Sequence, residues 1–190
     1  MLESHNIFNN KKILIYGLGK SGLSASKFLK RNNKVIEYDD KKNKNYGKIR
    51  KIEFDYIILS PGIDINKCKL SNFLKKNYSK IHTDLDIFYS NYKNNYKIAI
   101  TGTNGKSTTA KILYEVIKAQ KIDVRLVGNI GNPILLEKNI TNKTIFIIEA
   151  SSYQLAYSKL FKSNISMILN ISPDHLDRHK TIKGYINAKL

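Results

Sequence analysis

Thr101-Gly102-Thr103-Asn104-Gly105-Lys106-Ser107-Thr108 follows the apolar run Ile98-Ala99-Ile100 and precedes Ala110-Lys111-Ile112-Leu113-Tyr114-Glu115-Val116-Ile117. Strand, glycine-bearing turn and amphipathic helix, in that order, are the setting in which a phosphate-binding loop works. Gly102 and Gly105 let the backbone turn tightly, so that its N–H groups converge on phosphate oxygens. Lys106 is placed to reach the terminal phosphates, and the Ser107 hydroxyl to hold Mg²⁺. The common phosphate loop has four residues between its first glycine and the Gly-Lys pair. The corresponding position here is Ile100, so the spacing is a shortened Gly-x-x-Gly-Lys-Ser. A glycine turn with a stray lysine is the plainer reading. Against it stands a Lys-Ser pair that opens a helix directly after a buried-looking strand.

Upstream, Lys12-Ile13-Leu14-Ile15-Tyr16 reads as a strand running into Gly17-Leu18-Gly19-Lys20-Ser21-Gly22. Leu23, Phe28 and Leu29 among small residues suit a helix packed on a sheet. A second strand, Val35-Ile36-Glu37-Tyr38, ends in Asp39-Asp40, near the ~20-residue offset of a ribose-binding acid. This β-α-β unit has the signature of a dinucleotide or nucleotide diphosphate site, and does not separate NAD from a UDP-sugar. Phe54-Asp55-Tyr56-Ile57-Ile58-Leu59 gives a third strand, ending in Ser60-Pro61-Gly62-Ile63, where a pyrophosphate or uracil would be held; a simple turn is the alternative. Ile81-His82 and Leu85-Ile87-Phe88 point to a short strand and a helix start. The polar, aperiodic residues 90–96 mark a boundary, giving domains at 1–93 and 94–190.

Downstream, Val124-Arg125-Leu126-Val127 reads as a strand ending in Gly128-Asn129-Ile130-Gly131. Thr144-Ile145-Phe146-Ile147-Ile148 is a fully apolar strand that ends in Glu149, an acid placed to hold the Mg²⁺ of a bound nucleotide. Ile165-Ser166-Met167-Ile168-Leu169-Asn170 is expected to be another buried strand, leading into Ile171-Ser172-Pro173-Asp174-His175-Leu176-Asp177-Arg178-His179. A lone histidine is usually packed or capping. His175 shares its loop with Asp174, Asp177, Arg178 and His179, which favours a metal or phosphate role. One cysteine and no spaced histidine pair expected on a helix argue against a zinc cluster. The whole pattern predicts a doubly wound α/β chain.

The 190 residues suffice for one large or two small domains with real cores. The formal charge of +18 admits nucleic acid, anionic membrane or anionic metabolites as partners. The lysines are scattered among asparagines (Asn9-Asn10-Lys11-Lys12, Lys41-Lys42-Asn43-Lys44-Asn45, Lys93-Asn94-Asn95), a pattern of compositional drift rather than of a binding face. Cys68, the single cysteine, excludes an internal disulfide and fits a reducing compartment. Residues 1–5 lack the basic-then-apolar order of a signal peptide, and no apolar run approaches the ~20 residues of a membrane helix. A cytoplasmic protein is expected.

Taken together, the Gly17–Ser24 turn quoted above with its following Leu23-Ser24, Ser60-Pro61-Gly62-Ile63, the phosphate loop, Gly128-Asn129-Ile130-Gly131, Glu149-Ala150-Ser151-Ser152-Tyr153-Gln154-Leu155, and residues 170–179 with Tyr185 and Ala188-Lys189 resemble the Mur ligases of peptidoglycan synthesis. The shortened phosphate loop is what that family uses. The resemblance implies an α/β fold: an N-terminal Rossmann-like UDP-binding domain, then the first part of a P-loop α/β central domain. It implies a monomeric ligase that uses ATP and Mg²⁺ to join D-glutamate to UDP-N-acetylmuramoyl-L-alanine through an acyl phosphate. Lys20, Ser21, Asp39 or Asp40, and Gly62 would hold the UDP part; Asn129 and His175 would contact the substrate nearer the reacting end. Gly102, Thr103, Asn104, Gly105, Lys106, Ser107 and Thr108 would bind ATP, with Ser107 and Glu149 on one Mg²⁺. Lys106, His175 and Lys189 would be catalytic, His175 and Lys189 serving a second metal, with Lys189 as a carbamate.

Family members carry a longer central domain and a third domain, so the sequence reads as an N-terminal piece without activity of its own. Lys189 stands one residue before Leu190 and is expected to be held poorly, solvated and protonated. A folylpolyglutamate synthase relative shares a similar phosphate loop but not the N-terminal glycine turn. An NAD-dependent oxidoreductase has no use for a phosphate loop. A basic nucleic-acid-binding module would cluster its lysines with stacking aromatics.

Overall fold

The computed structural model describes residues 6–42 and 46–190; residues 1–5, on which the leader reading rests, and 43–45 of the lysine-asparagine loop lie outside it. Contacts divide the chain into two units, Met1–Asn91 with Tyr157–Leu160, and Tyr92–Ala156 with Phe161–Leu190.

The first unit is built on β1 (Lys12–Tyr16), β2 (Lys34–Tyr38), β3 (Tyr56–Leu59) and β4 (Ile81–His82), in the order β2-β1-β3-β4. All pairings are parallel, and helices make the crossovers: α1 (Lys20–Leu29), α2 (Tyr46–Ile49) and α3 (Ser71–Lys76), with α4 (Asp84–Asn91) following β4. A parallel sheet covered on both faces needs apolar residues at every position of its central strands. β1 and β3 satisfy this: Ile13, Leu14, Ile15, Tyr16, Ile57, Ile58 and Leu59 are all buried. Each such aliphatic side chain contributes roughly 1.5–3 kcal/mol on burial, which is why this pair forms the centre of the sheet.

Tyr157–Leu160 returns to the first unit, a feature with no signature in the sequence pattern. Its anchor is Asp86 of α4, fully buried, whose carboxylate accepts from Ser158 Oγ at 2.5 Å, Leu160 N at 2.9 Å, Lys159 N at 3.0 Å and His82 Nδ1 at 2.9 Å. Burial pushes the Asp86 carboxyl up, but the hydrogen bonds from His82, Ser158 and Leu160 outweigh it and hold it below the usual range.

The second unit carries β5 (Tyr96–Thr101), α5 (Lys106–Ala119), β6 (Val124–Gly128), β7 (Ile145–Glu149), α6 (Ser152–Leu155), β8 (Ile165–Ile168), α7 (Leu176–His179) and α8 (Ile182–Asn187). Its sheet is also parallel, ordered β6-β7-β5-β8. Phe146, Ile147, Ile148 and Ile100 are wholly buried. The expectation of a buried strand at β8 is corrected: Ile165 is 43% and Ile168 39% exposed. Among the described residues β8 is an edge strand, paired with β5 alone, and its apolar run lacks the cover that both-face packing would provide.

The α5 helix was expected to be amphipathic, and Leu113, Tyr114 and Ile117 do pack toward the sheet. Its outer face keeps Ile112 and Val116 exposed, beside an open groove of about 1250 Å³ shared with β6 and the turn after it. No helix among the described residues is long and apolar enough to cross a membrane.

Candidate functional site

Two glycine turns stand at the C-terminal ends of central strands, one in each unit. In the first, between β1 and α1, Gly22 opens a close packing of helix on turn: a Cβ there would lie 1.8 Å from the Gly17 carbonyl oxygen. Ser60 Oγ donates to that same carbonyl at 2.6 Å, so the Ser-Pro-Gly turn after β3 braces the glycine turn. From the other side, the Asp39 carboxylate accepts from Leu18 N at 2.8 Å and Lys41 N at 2.9 Å. Those backbone donors, Leu18 first, hold the Asp39 carboxyl below its usual range. Asp40 turns elsewhere, accepting from Tyr16 Oη at 2.8 Å and Lys69 N at 3.1 Å. Of the two acids, then, Asp39 is the one seated on the glycine turn. Gly19, Lys20 and Gly62 are exposed and Ser21 half-buried, and a Cβ on Gly19 would meet nothing within 4 Å. The turn is rigid behind and open in front.

In the second turn, Gly105 caps α5 in the left-handed region, at φ 81. Asn170 grips the loop by three hydrogen bonds: its carbonyl accepts from Thr103 N at 3.0 Å, its Oδ1 from Asn104 N at 2.9 Å, and its Nδ2 donates to Asn104 O at 3.0 Å. Lys106 curls back, Nζ donating to Gly102 O at 2.9 Å and Thr103 O at 2.7 Å. Ser107 and Thr108 are exposed at the start of α5. Ser107 Oγ donates to Glu149 Oε2 at 2.8 Å, and Asn129 Nδ2 to Glu149 Oε1 at 2.8 Å. Glu149 is wholly buried, at the end of β7.

Lys189 overturns the expectation that it is solvated. It is 7% exposed, and its Nζ donates to Gly102 O at 2.9 Å and Thr101 Oγ1 at 3.1 Å. The anchorage comes from α8, whose Thr181 cap accepts from Gly184 N, and from Tyr185, whose ring lies 4.6 Å from the ammonium. Tyr185 also meets the phosphate loop, Oη to Thr103 Oγ1 at 3.1 Å. Burial, then the nearby Lys106 charge, lowers the Lys189 pKa to about 8. His175 is a partly exposed residue in the left-handed region, its ring 4.8 Å from Tyr153 and 6.3 Å from Tyr185. The Tyr185 ring thus stands against both His175 and Lys189 without a direct bond between them being formed. His179, which the sequence reading left without a role, reaches Ser152 Oγ at 3.0 Å.

Ser107 and Glu149 offer one hydroxyl and one carboxylate, side by side at the mouth of a phosphate loop. That donor set fits magnesium, which takes one or two carboxylates and completes its shell with phosphate and water. Among the described residues no three of His, Cys, Asp or Glu gather as a metal cluster. Asn170 and Tyr185 were in the quoted sequence with no function attached; nothing local in the chain signals that they hold the loop, because their partners lie over 60 residues away.

Residues 100–190 match the model of the Mur ligase middle domain. The chain is 38% identical over 198 residues to a UDP-N-acetylmuramoylalanine--D-glutamate ligase of Rickettsia felis, which covers 97% of this chain and 43% of that relative. It is likewise 38% identical over 201 residues to the ligase of the same name from Caldicellulosiruptor bescii, covering 95% and 44%. The chain therefore spans about two fifths of the length of the curated relatives it matches. Among solved structures, UDP-N-acetylmuramate:L-alanyl-gamma-D-glutamyl-meso-diaminopimelate ligase from Neisseria meningitides superposes with a TM-score of 0.58 at 15% identity, over 94% of this chain and 66% of that one. UDP-N-acetylmuramate-alanine ligase from Thermotoga maritima gives 0.52 at 19% identity, over 94% and 46%; both likenesses concern the fold. The phosphate loop, Glu149 and the buried Lys189 all lie inside the region that matches the Mur ligase middle domain, and the likeness to the ligases of both relatives runs over 95–97% of this chain.

Proposed function

We propose that this chain provides the UDP-substrate-binding part and the phosphate-binding part of a cytoplasmic ligase joining D-glutamate to UDP-N-acetylmuramoyl-L-alanine in cell-wall synthesis. The observation that carries the reading is the convergence of the phosphate loop, Glu149 and Lys189 at the C-terminal ends of β5 and β7. The reaction would pass the terminal phosphoryl group of Mg²⁺-bound ATP to the substrate carboxylate with release of ADP, and the D-glutamate amine would then displace phosphate from the acyl carbon and lose a proton, leaving the amide.

This chain's residues supply position and charge. The first glycine turn receives the UDP diphosphate through the open face of Gly19, Lys20 and Ser21, with Gly62 beside it and Asp39 fixing the turn from behind. Loop N–H groups of residues 102–108 and the Lys106 ammonium offset the charge of the terminal phosphates. Lys106 is now spent on two loop carbonyls, and exchanges these neutral acceptors for anionic ones on binding. Ser107 and Glu149 would hold one Mg²⁺. His175 and Lys189 would serve a second, once the neutral Lys189 amine had added CO₂ and lost a proton to give a carbamate; an ammonium has no lone pair to give a metal, and a pKa of about 8 leaves a share of neutral amine near pH 7. Asn129 and His175 meet the substrate toward its reacting end. The protein acts as a monomer, on neither nucleic acid nor membrane.

A fluorescent UDP-sugar bound to the protein tests this. UDP-N-acetylmuramoyl-L-alanine should displace it, and NAD and single-stranded DNA should not. Displacement by NAD or DNA at comparable concentration would replace the reading with an oxidoreductase or a nucleic-acid module.

A further inference from the structure

The turn after β6 is fastened to the end of β7 at three points. Gly128, at φ 109, lies so close that a Cβ would fall 2.3 Å from the Glu149 carbonyl oxygen. Asn129 N donates to that same carbonyl at 2.9 Å. The Asn129 side chain then reaches the Glu149 carboxylate itself, Nδ2 to Oε1 at 2.8 Å. Backbone and side chain of one residue therefore hold backbone and side chain of the other.

A wholly buried carboxylate is costly unless hydrogen bonds take its lone pairs. Rotation about the last torsion of a glutamate is also soft, so its two oxygens exchange places easily unless something fixes one of them. At Glu149, Asn129 takes Oε1, which leaves Oε2 facing the Ser107 hydroxyl at 2.8 Å. The oxygen that meets Ser107 is the one that a nucleotide-borne cation would share with that hydroxyl. We infer that Asn129 is a positioning residue for Glu149, aiming one carboxylate oxygen at the cation site beside Ser107. The role is distinct from the substrate contact proposed above, and the carboxamide can serve both, since it has a second N–H and an oxygen. The inference rests on the reading of residues 101–108 as a site for a nucleotide with its divalent cation.

The test is Mn²⁺ binding by this chain, followed by electron paramagnetic resonance, with a non-hydrolysable ATP analogue present. Partners that orient a metal ligand typically contribute about 10–100-fold to metal affinity. Asn129→Ala should therefore weaken Mn²⁺ binding about tenfold or more, while metal-free affinity for the analogue, measured in EDTA, stays at the wild-type value and the protein still melts cooperatively. Asn132→Ala is the control on the same turn, because its amide goes to Glu137 instead, at 2.8 Å; it should bind Mn²⁺ as wild type does. Wild-type Mn²⁺ affinity in Asn129→Ala overturns the inference alone. An equal loss of metal-free analogue binding also overturns it, since the turn then acts on the whole loop. If the wild-type chain takes up no Mn²⁺ with the analogue, the nucleotide reading fails together with the inference.

Discussion

The glycine turn after β1 and the phosphate loop after β5 each follow a strand of a parallel sheet, yet they are braced differently. The first is held by one acceptor, one donor and close packing: the Asp39 carboxylate accepts from Leu18 N, the Ser60 hydroxyl donates to the Gly17 carbonyl, and Gly22 lies against that same carbonyl. The second is held by Asn170 and carries two ammonium groups, Lys106 and Lys189, both donating to the Gly102 carbonyl. Two cations on one neutral carbonyl are an arrangement that an anion relieves. The first turn is thus fixed by packing and hydrogen bonds, whereas the second gathers two positive charges on one carbonyl.

The sharpest way to break the comparison is in the first turn. Gly22→Val puts side-chain atoms where the Gly17 carbonyl stands, and should destabilise the first unit by about 3 kcal/mol or more, read as loss of its cooperative melting. Gly19→Val, three residues earlier, meets open space and should leave the melting temperature unchanged. Equal destabilisation by both would show that the turn is not rigid behind and open in front.

A smaller effect is expected where a side chain braces the second turn. Asn170→Ala removes the Oδ1 and Nδ2 bonds to Asn104 and should cost about 1–2 kcal/mol, at 0.5–1.5 kcal/mol net per hydrogen bond. Chemical denaturation of the variant checks this, and an unchanged midpoint would mean that the loop needs no brace.

A pH-dependent effect distinguishes a lysine that serves the loop from one that does not. Lys97, near the start of β5, is 1% exposed and donates to Lys93 O and Asn95 O. Burial lowers its pKa from 10.5 to about 8. Between those values the unfolded chain binds the proton and the folded chain does not, so stability rises as pH goes from about 8 to 10.5. Below pH 8 both states are charged and the burial penalty is constant. Melting temperatures across this window should climb less steeply in Lys97→Met than in wild type, with nucleotide affinity unaltered. An identical slope would remove Lys97 as the source.

The strands and both glycine turns were legible because their signals are local: apolar runs ending in glycine, and an acid or a Lys-Ser pair at fixed offset. Ile81-His82 followed by a helix was legible for the same reason. What was not legible depends on partners distant in sequence. β8 reads as a core strand from composition, and only its place at the sheet edge exposes Ile165 and Ile168. Lys189 reads as solvated from its position in the chain, and only Thr101, Gly102 and the Tyr185 ring bury it. Asp86, in a helix expected from its apolar neighbours, gave no sign that it would capture residues 158–160. At Asn129 the motif pointed to a substrate, while the geometry adds a tie to Glu149.

The central claim is that the two turns bind different anions, and that each does so by its own means. Calorimetry with UDP-N-acetylmuramoyl-L-alanine and with a non-hydrolysable ATP analogue plus Mg²⁺, on wild type, Gly19→Val and Lys106→Met, tests it most directly. Gly19→Val should lose the UDP ligand and keep the ATP analogue. Lys106→Met should keep the UDP ligand and weaken the analogue by about 2 kcal/mol, the worth of a charge-assisted hydrogen bond. Wild-type affinity of Gly19→Val for the UDP ligand, or of Lys106→Met for the analogue, would contradict the account.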